Sequence, residues 1–367
     1  MTPDRRDLGL LRLAGRYRWL PFDSLSKFGF SDLSETVEVL SKLGFLFISR
    51  NKRYFMLSQN GCKFLNGQGF DSDMGAKRPY ENYPPLHRRL ETASIMLTTL
   101  RAGIDTLRDD ADALRDQPVF FPSLAFRSAA SNSMSNSTSA GFGHWGGKAY
   151  ILHYVSPESK GMFLTYELKL LQRLSSVFSE HLDVPEAMVF AGPSYMKVYE
   201  QITSKPLSKP GGARGVNSFA DVHGRVDIPI HLLSCDGVGA MQLALMRQPG
   251  YNAKIAKAAY GVRWNPRDDQ LPDADGVIDG KRTLLIVADM DIRRAARVID
   301  DAKRLGRKEV ALVAFEEQNE GLLMRIFPRD GFVSYLKINR EVLDAAFGGD
   351  FSLHSFDGSI ESGGRYG

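Results

Sequence analysis

The stretch Pro272–Phe315, PDADGVIDGKRTLLIVADMDIRRAARVIDDAKRLGRKEVALVAF, has the pattern of a small α/β unit. Asp279-Gly280 is a dipeptide that favours positive φ, and it predicts a two-residue hairpin turn. The apolar run Leu284–Ala288 predicts a buried strand after this turn. Apolar residues then recur at helical spacing from Ile292 to Ala302, and the run Val310–Phe315 predicts one more buried strand.

Acidic residues flank the predicted hairpin. Asp273 and Asp275 precede its first strand, whereas Asp289 and Asp291 follow its second strand. A hairpin that brings Asp275 beside Asp289 or Asp291 places two or three carboxylates within reach of one divalent cation, and oxygen ligands of this kind suit Mg²⁺. The alternative is structural, because Asp291 is also a good N-cap for a helix that begins at Ile292.

This order of elements resembles the core of the PD-(D/E)xK nucleases, as it occurs in the replication-relaxation family and in MobC-type conjugative relaxases. In that pattern an Asp, with or without a preceding Pro, comes before a strand, and a later strand carries an acid, any residue, and Lys or an acid. Pro272-Asp273 or Asp275 matches the first part, and Asp289-Met290-Asp291 matches the second without its usual Lys. The resemblance implies a restriction-endonuclease-like fold, catalytic and metal-binding roles for Asp275, Asp289 and Asp291, and Mg²⁺ as cofactor.

A second unit of this kind is predicted upstream. The predicted strand Met162–Tyr166 runs directly into Glu167-Leu168-Lys169, which matches the acid-x-Lys half of the same motif. The resemblance implies that Glu167 would hold a metal and that Lys169 would stabilise the charge on a phosphate. The upstream acid is missing, because the chain has no Asp between Arg127 and Glu167.

The two units follow a common order of strand, acidic motif, helix and strand. At this level Met162–Tyr199 aligns with Thr283–Phe327, which suggests an internal duplication. Mg²⁺ gives up its water reluctantly, and a single glutamate rarely holds it. We therefore expect any activity to lie in the later unit and the earlier unit to be structural.

Residues 1–70 have the pattern of a winged helix. Three stretches with apolar residues at helical spacing are followed by two strands that flank a basic turn, Arg50-Asn51-Lys52-Arg53. The predicted helices and strands are Leu8–Tyr17, Phe22–Phe28, Ser31–Gly44, Phe45–Ile48 and Tyr54–Leu57.

Basic side chains in this unit are expected to contact the phosphates of DNA. They are Arg16, Arg18, Arg50, Lys52 and Arg53. Residues 1–70 hold eleven Lys/Arg against six Asp/Glu, a net charge of +5, whereas the whole chain carries +4. The third helix carries Asp32, Glu35 and Glu38 instead, unlike helices that read base edges. We expect DNA contact through the wing and the first helix, with the third helix serving packing or a protein partner.

The remaining segments set the predicted boundaries. The pattern predicts a long helix at Leu86–Leu114, led by His87 as in replication-relaxation proteins, and a strand at Leu322–Phe327. The Ser/Asn/Gly-rich stretch 128–147 is expected to be a mobile loop. The predicted fold is α+β or α/β, and its predicted parts are a winged helix (1–70), a long helix with a first nuclease-like unit (86–245), a second unit (250–347) and a flexible tail (348–367).

Composition points to a soluble globular protein. Hydrophobic residues make up 43% of the chain and charged residues 25%. No apolar run approaches the roughly 20 residues that cross a bilayer, and no secretory signal pattern is present. Two cysteines, Cys62 and Cys235, give no disulfide framework. We expect a cytoplasmic protein without a membrane partner.

The resemblance, together with the basic N-terminal unit, implies a double-stranded DNA-binding protein of a mobile genetic element, acting in plasmid replication initiation or mobilisation with other replication or conjugation proteins. A metal-dependent nicking activity is one version of this prediction. The alternative is a non-catalytic protein that binds DNA or docks a partner and keeps a degenerate nuclease fold. A winged-helix repressor with a ligand-binding C-terminal part is a third, and a tyrosine nucleophile (Tyr17, Tyr54 or Tyr80) also stays open.

Overall fold

The structure is a computed structural model of the 367-residue chain. It describes residues 3–70, 84–107, 118–122, 140–155, 163–164, 187–203, 216–217, 228–328, 330–349 and 351–356. The predicted motif residues Glu167 and Lys169 lie outside the described residues, as do Tyr80 and the end of the chain from residue 357. The described residues form a mixed α/β protein with helices and several sheets.

The N-terminal part, residues 3–70, packs three helices and a 3-10 turn against a three-stranded antiparallel sheet of order β1-β3-β2. Its first helix begins at a capping box between Asp4 and Asp7 and buries its leucine-rich face. Its elements are α1 Arg5–Tyr17, β1 Leu20–Pro21, the 3-10 turn Leu25–Phe28, α2 Ser31–Lys42, β2 Leu46–Ile48, β3 Tyr54–Leu57 and α3 Gln59–Gly67.

A five-stranded mixed sheet follows, with the order β10-β8-β6-β5-β4. The strands β4, β5 and β6 form an antiparallel meander, and β6, β8 and β10 run parallel to one another. Two further strands, β7 Phe163–Leu164 and β9 Val216–Asn217, pair as a separate sheet. The other elements are α4 Pro84–Arg101, β4 Val119–Pro122, β5 Gly141–Trp145, β6 Lys148–Tyr154, β8 Ala187–Gly192, α5 Tyr195–Thr203, β10 Ile230–Ser234 and α6 Gly237–Met246.

A second five-stranded sheet has the order β11-β12-β13-β14-β15 and the same directions: an antiparallel meander, then two parallel strands. The hairpin between β12 and β13 turns at Asp279 and Gly280, with φ of 55° and 65°, as the sequence predicted. The elements are α7 Tyr251–Tyr260, the 3-10 turn Gly261–Arg263, β11 Trp264–Asn265, β12 Gly276–Ile278, β13 Arg282–Ile286, α8 Ile292–Arg304, β14 Val310–Ala314, α9 over residues 316–326, β15 Val333–Lys337 and α10 Arg340–Phe347.

The two sheets have the same arrangement of strands, and a backbone hydrogen bond beside the second strand recurs in both. The N–H of Ala140 donates to the Leu152 carbonyl at 2.8 Å, and the N–H of Asp275 donates to the Leu284 carbonyl at the same distance. A helix capped by an Asp or Asn side chain follows the last strand of each sheet, at Asp236 and Asn339. We call residues 84–246 repeat one and residues 251–347 repeat two.

The correspondence between the two units therefore has a different alignment from the one that the sequence predicted. The counterpart of β13 is β6, Lys148–Tyr154, because both strands pair with a glycine-initiated strand and with a parallel strand in matching register. The predicted strand Met162–Tyr166 is represented among the described residues by β7 alone, which belongs to the two-stranded sheet.

Three other predictions are corrected. Part of the expected loop 128–147 is the strand β5 with its turn, because Phe142 and Trp145 are buried between neighbouring strands. The long helix ends at Arg101, where Gly103 has φ of 73° and the N–H of Ile104 donates to the carbonyl of Thr99. Residues 322–326 are helical, since they continue α9.

The N-terminal part packs on repeat one through the first turns of α4. Trp19, Tyr54 and Met56 form one buried cluster with Leu86 and Leu90. The described residues contain no helix that combines the length and apolarity needed to cross a membrane.

Candidate functional site

A cavity of about 340 Å³ lies where repeat one meets repeat two, and we call it the inter-repeat pocket. Repeat one contributes the end of the β5–β6 hairpin and strand β10, and repeat two contributes the start of α7 and the end of β13. Its lining side chains that carry polar groups are Lys148, Tyr150, His231, Gln248, Tyr251, Asn252, Asp289, Asp291 and Arg294.

A tight turn after β13 brings two of the predicted carboxylates into this pocket. Met290 has φ of 56°, an uncommon conformation for a side chain of this size, and its carbonyl accepts a hydrogen bond from the Leu232 N–H of β10 at 3.1 Å. Asp289 and Asp291 stand on either side of Met290, and they are 7% and 4% exposed. The strand edge of repeat one thus fixes the turn that presents the acids of repeat two.

Asp275 is held by an arginine. Its carboxylate lies 2.7 Å from the Arg294 guanidinium and accepts hydrogen bonds from the Ile286 N–H and the Asn252 amide. Burial raises the pKa of Asp275, although Arg294 opposes the shift. Burial disfavours the charged form of Arg294, but Asp275 and Asp289 outweigh it, so the pKa of Arg294 lies above its ordinary value.

Asp289 is surrounded by donors from both repeats. The His231 Nδ1 donates to the Asp289 carbonyl at 3.0 Å and lies 3.7 Å from its carboxylate. The Gln242 amide donates to the same carbonyl at 2.9 Å. The Asp289 carboxylate also accepts the N–H of Asp291 at 3.2 Å. Burial, followed by the charge of Asp289, raises the pKa of Tyr251. These contacts fix Asp289 at the junction of the repeats.

Asp291 caps α8, as the structural alternative predicted. One carboxylate oxygen accepts the N–H of Arg294 at 2.9 Å. Burial is the largest cause that raises the pKa of Asp291; the charge of Asp289 adds to it, and His231 and Arg294 oppose it. No hydrogen bond from any described residue reaches the second oxygen.

The predicted metal site is therefore assembled only in part. Asp289 and Asp291 share the pocket, whereas Asp275 is paired with Arg294. Within the described ranges, no group of three or more His, Cys, Asp or Glu side chains is arranged to hold a metal ion. Sequence reasoning missed His231 and Arg294; the one local signal was a lone histidine in the apolar run of β10.

The basic residues that were predicted to contact DNA separate into two groups. The first group is Arg16 alone, and the second is Arg18, Arg50, Lys52 and Arg53. Arg16 points inward, and its guanidinium donates to the Leu107 carbonyl at 3.3 Å. Arg50 is exposed at the turn between β2 and β3, where Lys52 is also exposed and pairs with Glu38 at 3.1 Å. Arg53, half-buried, lies 2.8 Å from His87 Nδ1 at the start of α4.

His87, Arg88 and Arg89, in the first turns of α4, join this second group. The guanidinium groups of Arg18 and Arg89 lie over the ring of Trp19, at 5.5 and 5.7 Å from its centroid. Arg88 is exposed on the same first turns of α4. We call this surface the basic strip, and its members are Arg18, Arg50, Lys52, Arg53, His87, Arg88 and Arg89.

Comparison of the chain with protein-family models, with curated proteins and with solved structures finds no match.

Proposed function

We propose that the protein binds double-stranded DNA, with residues 3–70 as a winged helix and the two repeats as a nuclease-like scaffold. The observation that carries the proposal is the basic strip, which joins the turn of the β2–β3 hairpin to the first turns of α4. Six of its seven members carry a permanent positive charge. Closely spaced Lys and Arg side chains attract the phosphates of a duplex.

The element order of residues 3–70 supports the winged-helix assignment. Helix, strand, helical turn, helix and a two-stranded hairpin follow one another, and the first strand closes the sheet beside the hairpin. In this assignment the turn at 50–53 is the wing, and its cations lie where a wing meets a DNA backbone.

The surface of α2 favours an approach of DNA from the side of the basic strip. Asp32 pairs with Arg6, and Glu38 pairs with Lys52, so these two carboxylates are partly neutralised. Glu35 is exposed beside Val39 and Leu43, which are 43% and 39% exposed. An acidic and apolar face of this kind repels phosphate, so DNA would contact the wing and α4 rather than lie along α2.

The arrangement of the carboxylates at the inter-repeat pocket favours DNA binding without DNA cleavage in this proposal. Asp275 is neutralised by Arg294, and Asp291 is used as a helix cap, so neither is arranged with Asp289 as a set of metal ligands. The resemblance to nucleases would then lie in the scaffold. A role in plasmid replication or mobilisation follows from the same resemblance and belongs to the proposal.

The salt dependence of binding tests the proposal. Replacing Arg50, Lys52 and Arg53 together by Ala should weaken binding to a short duplex and lower the slope of log K against log salt by about 2–3, because each lost phosphate contact removes roughly 0.9. Fluorescence anisotropy at several salt concentrations measures this slope. Replacing Lys257, Lys281 and Lys308, three exposed lysines of repeat two, is the charge-matched control.

The control should leave the slope unchanged if the strip is the contact surface. Equal losses in both triple variants would mean that binding follows net charge alone, and an unchanged slope in the wing variant would contradict the proposal.

A further inference from the structure

The inter-repeat pocket has the size of a small-molecule site. Its volume of about 340 Å³ falls at the lower end of the range for such sites, roughly 300–1,000 Å³. The Tyr150 ring forms part of the wall; it stacks on Trp145 at 4.5 Å and meets His231 edge-on at 5.9 Å. The wall is therefore rigid and aromatic on the side of repeat one.

Charge inside the pocket is unbalanced toward the negative. Asp289 and Asp291 both line it, and Arg294, the one arginine among the described lining residues, is already paired with Asp275. Lys148 lies at the rim, where it is exposed. His231 lies 3.7 Å from the Asp289 carboxylate, but no lysine or arginine of the described residues forms an ion pair with Asp289 or Asp291. A positive group in the cavity would therefore be stabilised by these acids.

Hydrogen-bond acceptors are also in surplus. The side-chain oxygen of Asn252 is buried and has no hydrogen-bond partner among the described residues, since the amide nitrogen alone is used, by Asp275. The second oxygen of Asp291 receives no hydrogen bond from a described residue either. A buried acceptor without a partner, such as the Asn252 oxygen, is uncommon in native proteins, and the second oxygen of Asp291 is available to a donor in the cavity.

We propose that the inter-repeat pocket binds a small organic cation, an amine or a guanidinium compound, held by Asp291, Asp289 and the side-chain oxygen of Asn252. The N–H groups of such a ligand supply the missing donors, and its charge balances the two acids. The aromatic wall at Tyr150 accommodates the carbon chain or the flat face of the group. The proposal does not depend on DNA binding, because every lining residue lies outside the basic strip.

A divalent metal is the competing occupant, and the geometry disfavours it. Mg²⁺ requires near-octahedral oxygen ligands. Asp291 uses one oxygen to cap α8, and the carboxylate of Asp289 accepts the N–H of Asp291 at 3.2 Å. A cation with directional N–H donors fits acceptors on separate elements better than a metal does.

Calorimetry on the full chain without DNA tests the proposal, with agmatine as the guanidinium probe, putrescine as the amine probe and Mg²⁺ alone as the metal probe. We expect saturable binding of at least one organic cation. Asp291→Asn keeps a capping side chain but removes the charge, and it should weaken binding by about tenfold or more. Asp300→Asn, an exposed change on the same helix, should not alter it.

A second variant should change the affinity for the organic cation in the opposite direction. Lys148→Glu changes an exposed rim residue, so it should fold, and the added negative charge should strengthen cation binding. Three results would overturn the proposal: no saturable heat with either organic cation, equal affinity in Asp291→Asn and the unmodified chain, or binding of Mg²⁺ alone that Asp291→Asn abolishes.

Discussion

Repeat one and repeat two share strand order, register and terminal helix caps, yet they differ at the residue that precedes their second strand. This residue is Ala140 in repeat one and Asp275 in repeat two, and each donates the same backbone hydrogen bond at 2.8 Å. The side chain of Ala140 is 4% exposed and apolar, whereas Asp275 binds Arg294. One backbone therefore supports either an apolar contact or a buried ion pair at this position.

In the central strands β6 and β13 the difference is reversed, because here the polar residue belongs to repeat one. His153 in β6 occupies the position of Leu285 in β13, and burial lowers the pKa of His153 to about 3, so the ring is neutral at physiological pH. At this one position repeat one has a polar buried side chain and repeat two an apolar one. The charges of repeat two are concentrated instead at the pocket, where His231 and Lys148 of repeat one face them.

The largest expected effect concerns the Asp275–Arg294 ion pair, which distinguishes repeat two from repeat one. Asp275→Ala leaves the Arg294 guanidinium, whose side chain is 19% exposed, without its carboxylate, and should lower the free energy of unfolding by about 3–5 kcal/mol. Urea unfolding at pH 7.5 measures this loss. Asp273→Ala is the matched control, because Asp273 pairs with Arg297 while both side chains are about half exposed, at 51% and 55%.

The control should cost less than about 1 kcal/mol, as exposed ion pairs do. If the two variants lose similar amounts, the Asp275 pair does not behave as a buried pair, and the contrast with Ala140 carries no energetic meaning.

The next effect compares two glycines that the shared strand register places in the same position. A Cβ at Gly141 would lie 2.2 Å from the Phe121 carbonyl oxygen, and one at Gly276 would lie 2.1 Å from the Asn265 carbonyl oxygen. Alanine at either position should cost about 1–3 kcal/mol through this collision. Gly276 has φ of 121° in addition, so Gly276→Ala should be the more destabilising change.

Thermal unfolding of the two variants side by side checks this order. A larger loss in Gly141→Ala would mean that the backbone of repeat one is the less adaptable copy, and a negligible loss in both would contradict the shared register.

The sequence predicted the hairpin, the helix α8 and the strand β14 of repeat two, because their apolar runs are bounded by clear turn signals. The strand predicted at Val310–Phe315 lies at Val310–Ala314, and the predicted turn Asp279-Gly280 has the expected positive φ. Strand β5 was missed for a physical reason. It contains Gly141 and Gly143, whose hydrogens allow close approach of the Phe121 carbonyl and the Trp145 ring, and a glycine-rich composition resembles a loop.

The site was predictable only where its members are close in the chain. Asp289 and Asp291 lie together because both follow β13. The pairing of Asp275 with Arg294 was not predicted, since helical periodicity places Arg294 off the apolar face of α8 but does not indicate its partner. His231 comes from repeat one, and a contact across 58 residues leaves no local pattern in the sequence.

The smallest expected effect concerns Asp291, and it depends on pH. The groups that face this carboxylate are Asp289, His231 and Arg294, and burial is the main reason why its pKa in the folded protein is raised. A carboxyl with a raised folded pKa stabilises the fold while it is protonated, and this contribution is lost as the pH rises through that pKa. Asp291→Asn, which keeps the cap, should therefore be more stable than the unmodified chain at pH 7.5. The difference should close near pH 4, around the ordinary pKa of an aspartate.

Asp291→Ala provides the matched comparison, because it removes the charge and the cap together. Losing the cap should cost about 1 kcal/mol and should offset the gain from removing the buried charge, so this variant should be less stable than Asp291→Asn at every pH. Urea unfolding of the three proteins at pH 7.5 and pH 4.5 gives both differences. If Asp291→Asn proves less stable than the unmodified chain at pH 7.5, the ionised carboxylate is stabilised by His231 and Arg294 more than burial disfavours it. The pocket would then be balanced without a ligand, and the charge contrast between the two repeats would be smaller than their sequences indicate.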